Sequence, residues 1–389
     1  MIPLLVVALG VALCAVGALL FRPFATPARV HGNSLTGHSG GRSLDAQAVY
    51  DRLGPSIVDV TATLRYDGET ASGTGFVVNG ARALVLTNNH VIRDATSVTA
   101  TLTSTGKAYP ARIVGADVAG DVAVLQLEGV TGLTAAPLGD SATVTLGTPV
   151  LAIGNQAGQG GTPTIAPGII NSLNRTIQAD DGASGFTEIL HGMLQTSAQI
   201  EPGDSGGPLA DRAGQVVGMD TAAGTGAGTV GYAIPINSAM AVARLIMADR
   251  PAPGITVGVG GFLGVIVPST AAESPRQQAS EEHGLSTGAK NQPPGCLDTE
   301  AGAGVPAAVA PARSGALIDG VLCGTGAAAA GITAGDVITS AAGHRVSSPD
   351  ALTAILGACR PGTLVPVTWV SVSGATRTAV VRLVVAPAV

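Results

Sequence analysis

The sequence predicts a mainly β chain, with two six-stranded antiparallel barrels over residues 49–250, a small α+β domain over 262–389, and an apolar helix ahead of both. Short segments rich in β-branched residues recur from Val49 to about Ala243. Turn residues separate them at regular spacing, which is the pattern of a barrel or sandwich. That stretch of about 195 residues has the length for two barrels with a cleft between them. The pattern then breaks at Pro251-Ala252-Pro253-Gly254, and a differently built stretch with one well-capped helix follows.

Ile2 to Phe21 is an uninterrupted apolar run, long enough to cross a bilayer. No Lys or Arg precedes it and Ala25-Thr26-Pro27-Ala28 is a weak cleavage signal. Residues 1–21 are therefore expected to be a transmembrane anchor or an uncleaved signal. The expected location is a single pass through the cell membrane with the rest of the chain outside the cytoplasm, or secretion. Arg22 and Arg29 beyond the run argue the other way by the positive-inside rule. Residues 22–48, polar and rich in Gly and Ser, read as a flexible linker.

The first set of expected strands is Ser56–Leu64, Gly75–Val78, Ala83–Leu86, Ser97–Leu102 and Asp121–Leu127. The second is Pro149–Ile153, Gly168–Leu173, Leu194–Gln199, Gln215–Met219 and Gly231–Ile234. Asn237 to Asp249 carries Met240, Val242, Leu245 and Ile246 on one stripe, a helix that closes the domain. Residues 251–261 read as a linker. Phe262-Leu263-Gly264-Val265 opens a strand, and 268–312, low in complexity, reads as a mobile insertion. Strands are expected at Ala316–Leu322, Asp336–Ile338, Val365–Val370 and Thr378–Val385. Between them lies a helix with Ser348 as cap, Pro349 in its first turn and Gly357 past its end.

Composition excludes several classes. Charged residues are 12% of the chain and the net charge is −6 with two lysines, so there is no basic patch for nucleic acid. Four cysteines without a Cys-x-x-Cys pair and six histidines without His-x-x-x-His give no metal site. Gly224-Thr225-Gly226-Ala227-Gly228 lacks the helix a nucleotide loop needs, and no cofactor is expected.

Chemistry centres on Gly203-Asp204-Ser205-Gly206-Gly207-Pro208. A serine among glycines usually marks only a tight turn. Upstream, however, stand Thr87-Asn88-Asn89-His90 and Asp121-Val122-Ala123-Val124-Leu125. A serine hydroxyl becomes a nucleophile when a histidine takes its proton and a carboxylate orients that histidine. The order His90, Asp121, Ser205 suits that chemistry, with backbone N–H groups of Gly203 and Ser205 as candidate oxyanion donors. Asp59, Asp94, Asp117 and Asp140 compete with Asp121, whose following apolar run favours it. A nucleophile elbow, which Gly-x-Ser-x-Gly also matches, requires a helix after the serine, and Pro208 with Gln215–Met219 reads as turn and strand.

These motifs, with Leu86–Ile92 and Pro202–Pro208, resemble the HtrA (DegP-like) bacterial serine proteases with one C-terminal PDZ domain, over roughly residues 50–389. The resemblance implies a chymotrypsin-like fold, with Ser205 as nucleophile, His90 as general base and Asp121 as its orienter. Gln199 and Ile200 would line the specificity pocket, where the absence of a carboxylate at the base suits a small or medium apolar residue. Phe262-Leu263-Gly264-Val265 looks like a PDZ carboxylate-binding loop, with Leu352 and Ile355 as the facing helix wall. The implied substrates are unfolded or misfolded extracytoplasmic proteins, with peptide C-termini at the PDZ groove and a homo-oligomer, a trimer by resemblance. The alternative is a catalytically idle binding or chaperone protein. Asp204 departs from the family's usual Asn, and its partner is open, since Arg112-Ile113-Val114-Gly115 lies too deep in the first barrel to be an activation site. Among Cys296, Cys323 and Cys359, one disulfide is expected outside the cytoplasm, Cys296–Cys323 ahead of Cys323–Cys359, with three free thiols as the alternative.

Overall fold

The computed structural model describes residues 44–387 apart from 65–68, 156–160, 181–186, 222–229, 251, 253, 269–273, 280–294, 300–302, 305 and 307. The expected helix Ile2–Phe21, most of the 22–48 linker, much of the 268–312 insertion and the loop Gly224–Gly228 lie outside the described residues. Among the described residues no helix is long and apolar enough to cross a membrane.

Strands β1 (Ile57–Leu64), β2 (Glu69–Asn79), β3 (Leu84–Thr87), β4 (Ser97–Leu102), β5 (Lys107–Asp117) and β6 (Val122–Leu127) pair in the order β5-β4-β1-β2-β3-β6. A further β5–β6 pairing closes them into a ring. Strands β7 (Pro149–Gly154), β8 (Thr164–Asp180), β9 (Thr187–Thr196), β10 (Pro208–Asp211), β11 (Val216–Thr221) and β12 (Gly231–Pro235) form a closed barrel.

The strands read as continuous apolar runs because both of their faces are buried. In β3, Val85 faces the interior of the first barrel while Leu84 and Leu86 join the core between the barrels. In β7, Val150 and Ala152 face into the second barrel, and Leu151 and Ile153 face the same inter-barrel core. Each such Leu or Ile contributes about 1.5–3 kcal/mol on burial, so the interface is as well packed as either barrel interior.

Two strands escape the sequence pattern. Pro110 and Gly115 disguise β5, yet Ile113 pairs with Leu125 and Gly115 with Val124 across a bulge. Strand β10 is only four residues long and follows the glycines.

Two expected linkers are partly structured. The 22–48 linker gives way early, because Asp45 accepts a hydrogen bond from Ala48 N and starts helix Ala46–Leu53. That helix sends Val49 and Leu53 into the inter-barrel core. The 251–261 linker is likewise partly structured: Ile255–Val257 forms β13 against Gly115–Asp117 of β5. The free edge of β5 supplies backbone groups that would otherwise lack partners. Helix Ile236–Met247 precedes it and packs Ile236, Ala239, Met240, Ala243 and Ile246 inward.

In the C-terminal part, Ala316–Leu317, Val337–Ala341, Leu364–Val370 and Thr376–Arg382 form an antiparallel sheet in that order. Gly261–Phe262 pairs with Val384–Val385, and Val265–Ile266 with Gly320–Val321. Helix Pro349–Gly357 is capped by Ser348, which accepts from Ala351 N at 3.2 Å, and its Leu352 and Leu356 pack with Trp369 in a separate core.

The described pieces of the 268–312 insertion are fastened rather than loose. Cys296 is bonded to Cys323, and Leu297 N donates to Val321 O at 2.7 Å. Gln278, fully buried, donates to Gly315 O and accepts from Leu317 N, both at 2.9 Å. Cys359 is a free, half-buried thiol.

Candidate active site

His90 lies in a single helical turn, Asn89–Ile92, that leaves the end of β3. Asp121 sits immediately before β6 in a left-handed conformation, φ 51°, which Asp tolerates better than most residues. The β3–β6 pairing of Thr87 with Ala123 brings the two together. His90 N donates to Asp121 Oδ1 at 3.0 Å, and His90 Nδ1 lies 2.9 Å from Oδ2 and 3.1 Å from Oδ1. Asn88 Nδ2 holds the Asp121 carbonyl at 2.9 Å. With the carboxylate accepting at Nδ1, the proton sits on that nitrogen and Nε2 is left as a base.

Ser205 is 4% exposed in the turn between Ile200 and β10. A Cβ at Gly206 would collide with Thr74 O and Thr87 Oγ1, so the serine loop packs within a few residues of His90. Gly206, at φ 86°, and Gly203, at φ 99°, take conformations that favour glycine. Gly206 N donates to Asp220 O and Gly207 N to Asp204 O, both at 2.8 Å. Neither Gly203 N nor Ser205 N donates to an acceptor among the described residues. The serine loop thus packs against Thr74 and Thr87, at the foot of the His90 turn, and carries two backbone N–H groups that donate to no acceptor among the described residues, an arrangement suited to acyl transfer.

Sequence reasoning missed several contributors. Thr221, at the end of β11, donates to Asp121 Oδ2 at 3.0 Å from the other barrel. Thr74 on β2 is fully buried; its Oγ1 donates to Gly203 O at 2.7 Å and accepts from Asn155 N at 2.9 Å, and its N donates to Ser205 O at 2.8 Å. As threonines within strands, both are indistinguishable in sequence from ordinary β-formers.

Asp204 finds its partners locally: Oδ2 accepts from Glu201 N at 2.8 Å and Oδ1 from Thr164 Oγ1 at 3.4 Å. Burial raises its carboxyl and those two bonds oppose the rise. Asp220 is completely buried in β11; burial lifts its carboxyl well above the ordinary range, and the charge of Asp204 adds to the lift. A carboxylate inside the apolar run Val216–Thr221 was the legible signal for it. Asp59 on β1, also buried, is pushed up to about 6 by desolvation, with a bond from Asn155 opposing.

Of the expected pocket residues, Gln199 is exposed, while Ile200 is 4% exposed in the second barrel's core, where a Cβ on Gly231 would touch its side chain. Phe262, Leu263, Gly264 and Val265 run along the entry of the C-terminal part, with Gly264 at φ 87° against the Thr325 side chain. A cavity of about 410 Å³ lies between this stretch and helix Pro349–Gly357. Leu352, Thr353 and Leu356 line it from the helix, whereas Ile355 packs against the domain core. Ile113, Ala116 and Thr256 of the first barrel form its far wall.

Residues 73–219 match the family model of the trypsin-like peptidase domain. The chain is 31% identical to serine protease PepD of Mycobacterium tuberculosis over 355 residues, covering 87% of this chain and 65% of that protein. It is 36% identical to serine protease Do-like HtrB of Bacillus subtilis over 232 residues, 54% of this chain and 50% of HtrB. Against the periplasmic pH-dependent serine endoprotease DegQ of Escherichia coli it is 30% identical over 296 residues, 75% of this chain and 55% of DegQ. The chain therefore spans between half and two thirds of the length of these relatives. On these matches, the chain is similar to the bacterial serine proteases PepD, HtrB and DegQ, and its residues 73–219 to a trypsin-like peptidase domain.

Proposed function

We propose that this protein is a serine endopeptidase that hydrolyses peptide bonds of unfolded or misfolded extracytoplasmic proteins. Ser205 Oγ attacks the scissile carbonyl while His90 Nε2 takes its proton, and Asp121 holds the ring and its developing charge. The Gly203 and Ser205 N–H groups stabilise the oxyanion. His90 then protonates the leaving amine, and water releases the acyl group by the same path in reverse. The observation that carries this reading is the doubly bonded His90–Asp121 pair, together with a serine loop whose Gly203 and Ser205 N–H groups donate to no acceptor among the described residues.

In the same proposal the C-terminal part is a PDZ domain that takes a peptide C-terminus between Phe262–Val265 and Leu352, in the cavity described above. The Cys296–Cys323 disulfide supports an oxidising compartment, and Ile2–Phe21 would be the anchor that keeps the protein there. A small or medium apolar residue before the cut bond suits the buried Ile200.

Ser205→Ala is expected to abolish casein cleavage while the melting temperature holds, and a fluorophosphonate should label wild type but not the variant. Cleavage that survives the substitution would overturn the assignment. A wild type that resists labelling would favour an idle binding protein.

A further inference from the structure

The loop that carries Gly203 and Ser205 is held by its own barrel at Asp204, through Thr164 Oγ1, and at Gly206, through Asp220 O, but not at the carbonyls of Gly203 and Ser205. It turns at two glycines of positive φ, at positions 203 and 206. A loop of this composition has several arrangements of similar energy, and only some aim both N–H groups at one point. Those two carbonyls are held from the other barrel. Thr74 on β2 is fully buried and bonds to both sides of Asp204: its Oγ1 donates to Gly203 O at 2.7 Å, and its backbone N donates to Ser205 O at 2.8 Å. Its own carbonyl accepts from Thr87 Oγ1 at 2.7 Å, at the foot of the His90 turn.

The hydroxyl is used twice. While it donates to Gly203 O, it accepts from Asn155 N at 2.9 Å. Asn155 directly follows β7 and its side chain bonds to Asp59 on β1, so one hydroxyl joins the oxyanion loop to both barrels. A valine at this place has the same shape and neither bond; a serine keeps both.

Resting on the endopeptidase reading above, we propose that Thr74 is a positioning residue for that reaction, whose hydroxyl locks the Gly203 carbonyl and so aims the Gly203 and Ser205 N–H groups at the oxyanion. It touches no substrate. Its effect falls on the transition state, where the oxyanion is fully charged, and much less on the bound substrate, whose neutral carbonyl interacts weakly with those groups.

The test uses the full chain with a chromogenic peptide substrate and a peptidyl boronic acid, whose tetrahedral adduct on the serine mimics the charged intermediate. Removing an oxyanion donor outright costs roughly 100–1,000-fold in kcat, so misaiming one in Thr74→Val is expected to lower kcat about 10–100-fold. KM is expected to stay within about twofold, and the inhibition constant of the boronic acid to rise by the same factor as kcat falls. Thr74→Ser is expected to stay within about threefold of wild type on both measures. A Thr74→Val enzyme as active as wild type overturns the proposal. So does one that loses activity through KM alone, or an equal loss in Thr74→Ser. If Thr74→Val fails to fold, Thr74→Ala, which removes the hydroxyl without adding bulk, is read by the same criteria. A wild type that neither cleaves nor is labelled at Ser205 counts instead against the endopeptidase reading, and this inference falls with it.

Discussion

The hydroxyl of Thr221 donates to the carboxylate of Asp121 across the inter-barrel boundary, at 3.0 Å. Asp121 leads into the first barrel and Thr221 ends a strand of the second, so the group that orients His90 is itself held from the side that carries Ser205. The second barrel therefore reports its position to the histidine through one hydrogen bond. Thr221→Val is expected to lower kcat about tenfold, in line with the net worth of one bond to a charged group of about 1.5–3 kcal/mol. Thr221→Ser should retain most of the activity. Equal rates in wild type and Thr221→Val would show that Asn88 and the His90 N–H suffice to hold Asp121.

Activity is expected to fall at acid pH as His90 gains a second proton and loses its capacity to act as base. A profile flat down to about pH 4 would contradict a histidine base.

Stability is expected to carry its own pH signature. The folded-state carboxyl of Asp59 is raised from 3.8 to about 6, so its contribution is complete below 3.8 and is lost as pH rises through about 6. Asp220 is raised for the same reason and works in the same direction. Asp59→Asn, which keeps an acceptor for Asn155, should therefore raise the melting temperature at pH 8 relative to wild type and change it little at pH 4. Thermal unfolding across that range decides the point; a shift equal at both ends would mean that the charge of Asp59 is not what costs stability.

The disulfide Cys296–Cys323 spans 27 residues of sequence. Closing such a loop is worth roughly 3–4 kcal/mol in the chain-entropy view, and it fastens the insertion beside Val321 and Leu322. Cys296→Ser is expected to lower the melting temperature of the C-terminal part and expose the insertion to limited proteolysis. Hydrolysis of a small peptide should not change, because the bond lies in the C-terminal part and the catalytic set in the barrels. A loss of small-peptide hydrolysis in step with the melting shift would contradict that separation.

The cavity beside Phe262–Val265 shares a wall with β5, and Asp117 of β5 pairs with Val122, the residue after Asp121. A ligand there thus sits one strand pair from the catalytic carboxylate. Apolar C-terminal peptides added to the full chain are expected to change the rate on a small substrate, and to have no effect on a chain ending at Gly258. That end point keeps β13 on the barrel, whereas ending at Arg250 strips it off. Rates unaffected by peptide in both proteins would make the C-terminal part a tether.

Local chemistry was enough to expose the barrels in the sequence and to single out the residues proposed for the chemistry. Short β-rich runs between turn residues, the glycines around Ser205 and the apolar run after Asp121 each depend on a residue and its near neighbours. The Ser348-Pro349 helix start is equally local, and the structure has it. The boundaries at 45–48 and 255–257 were not legible, because Ala46–Leu53 and β13 exist only where another element offers a face or an edge to cover. Strand β5 was hidden by Pro110, which sits opposite Thr99 of β4, and by Gly115, which the pairing with β6 tolerates through a bulge. Above all, Thr74, Thr221, Asn155 and Asp59 look ordinary in a linear sequence. They matter because two barrels pack face to face and bring residues about a hundred positions apart within one hydrogen bond, as with Asp121 and Thr221. Sequence alone named the groups proposed for the chemistry; the contact between the barrels decided what holds them in place.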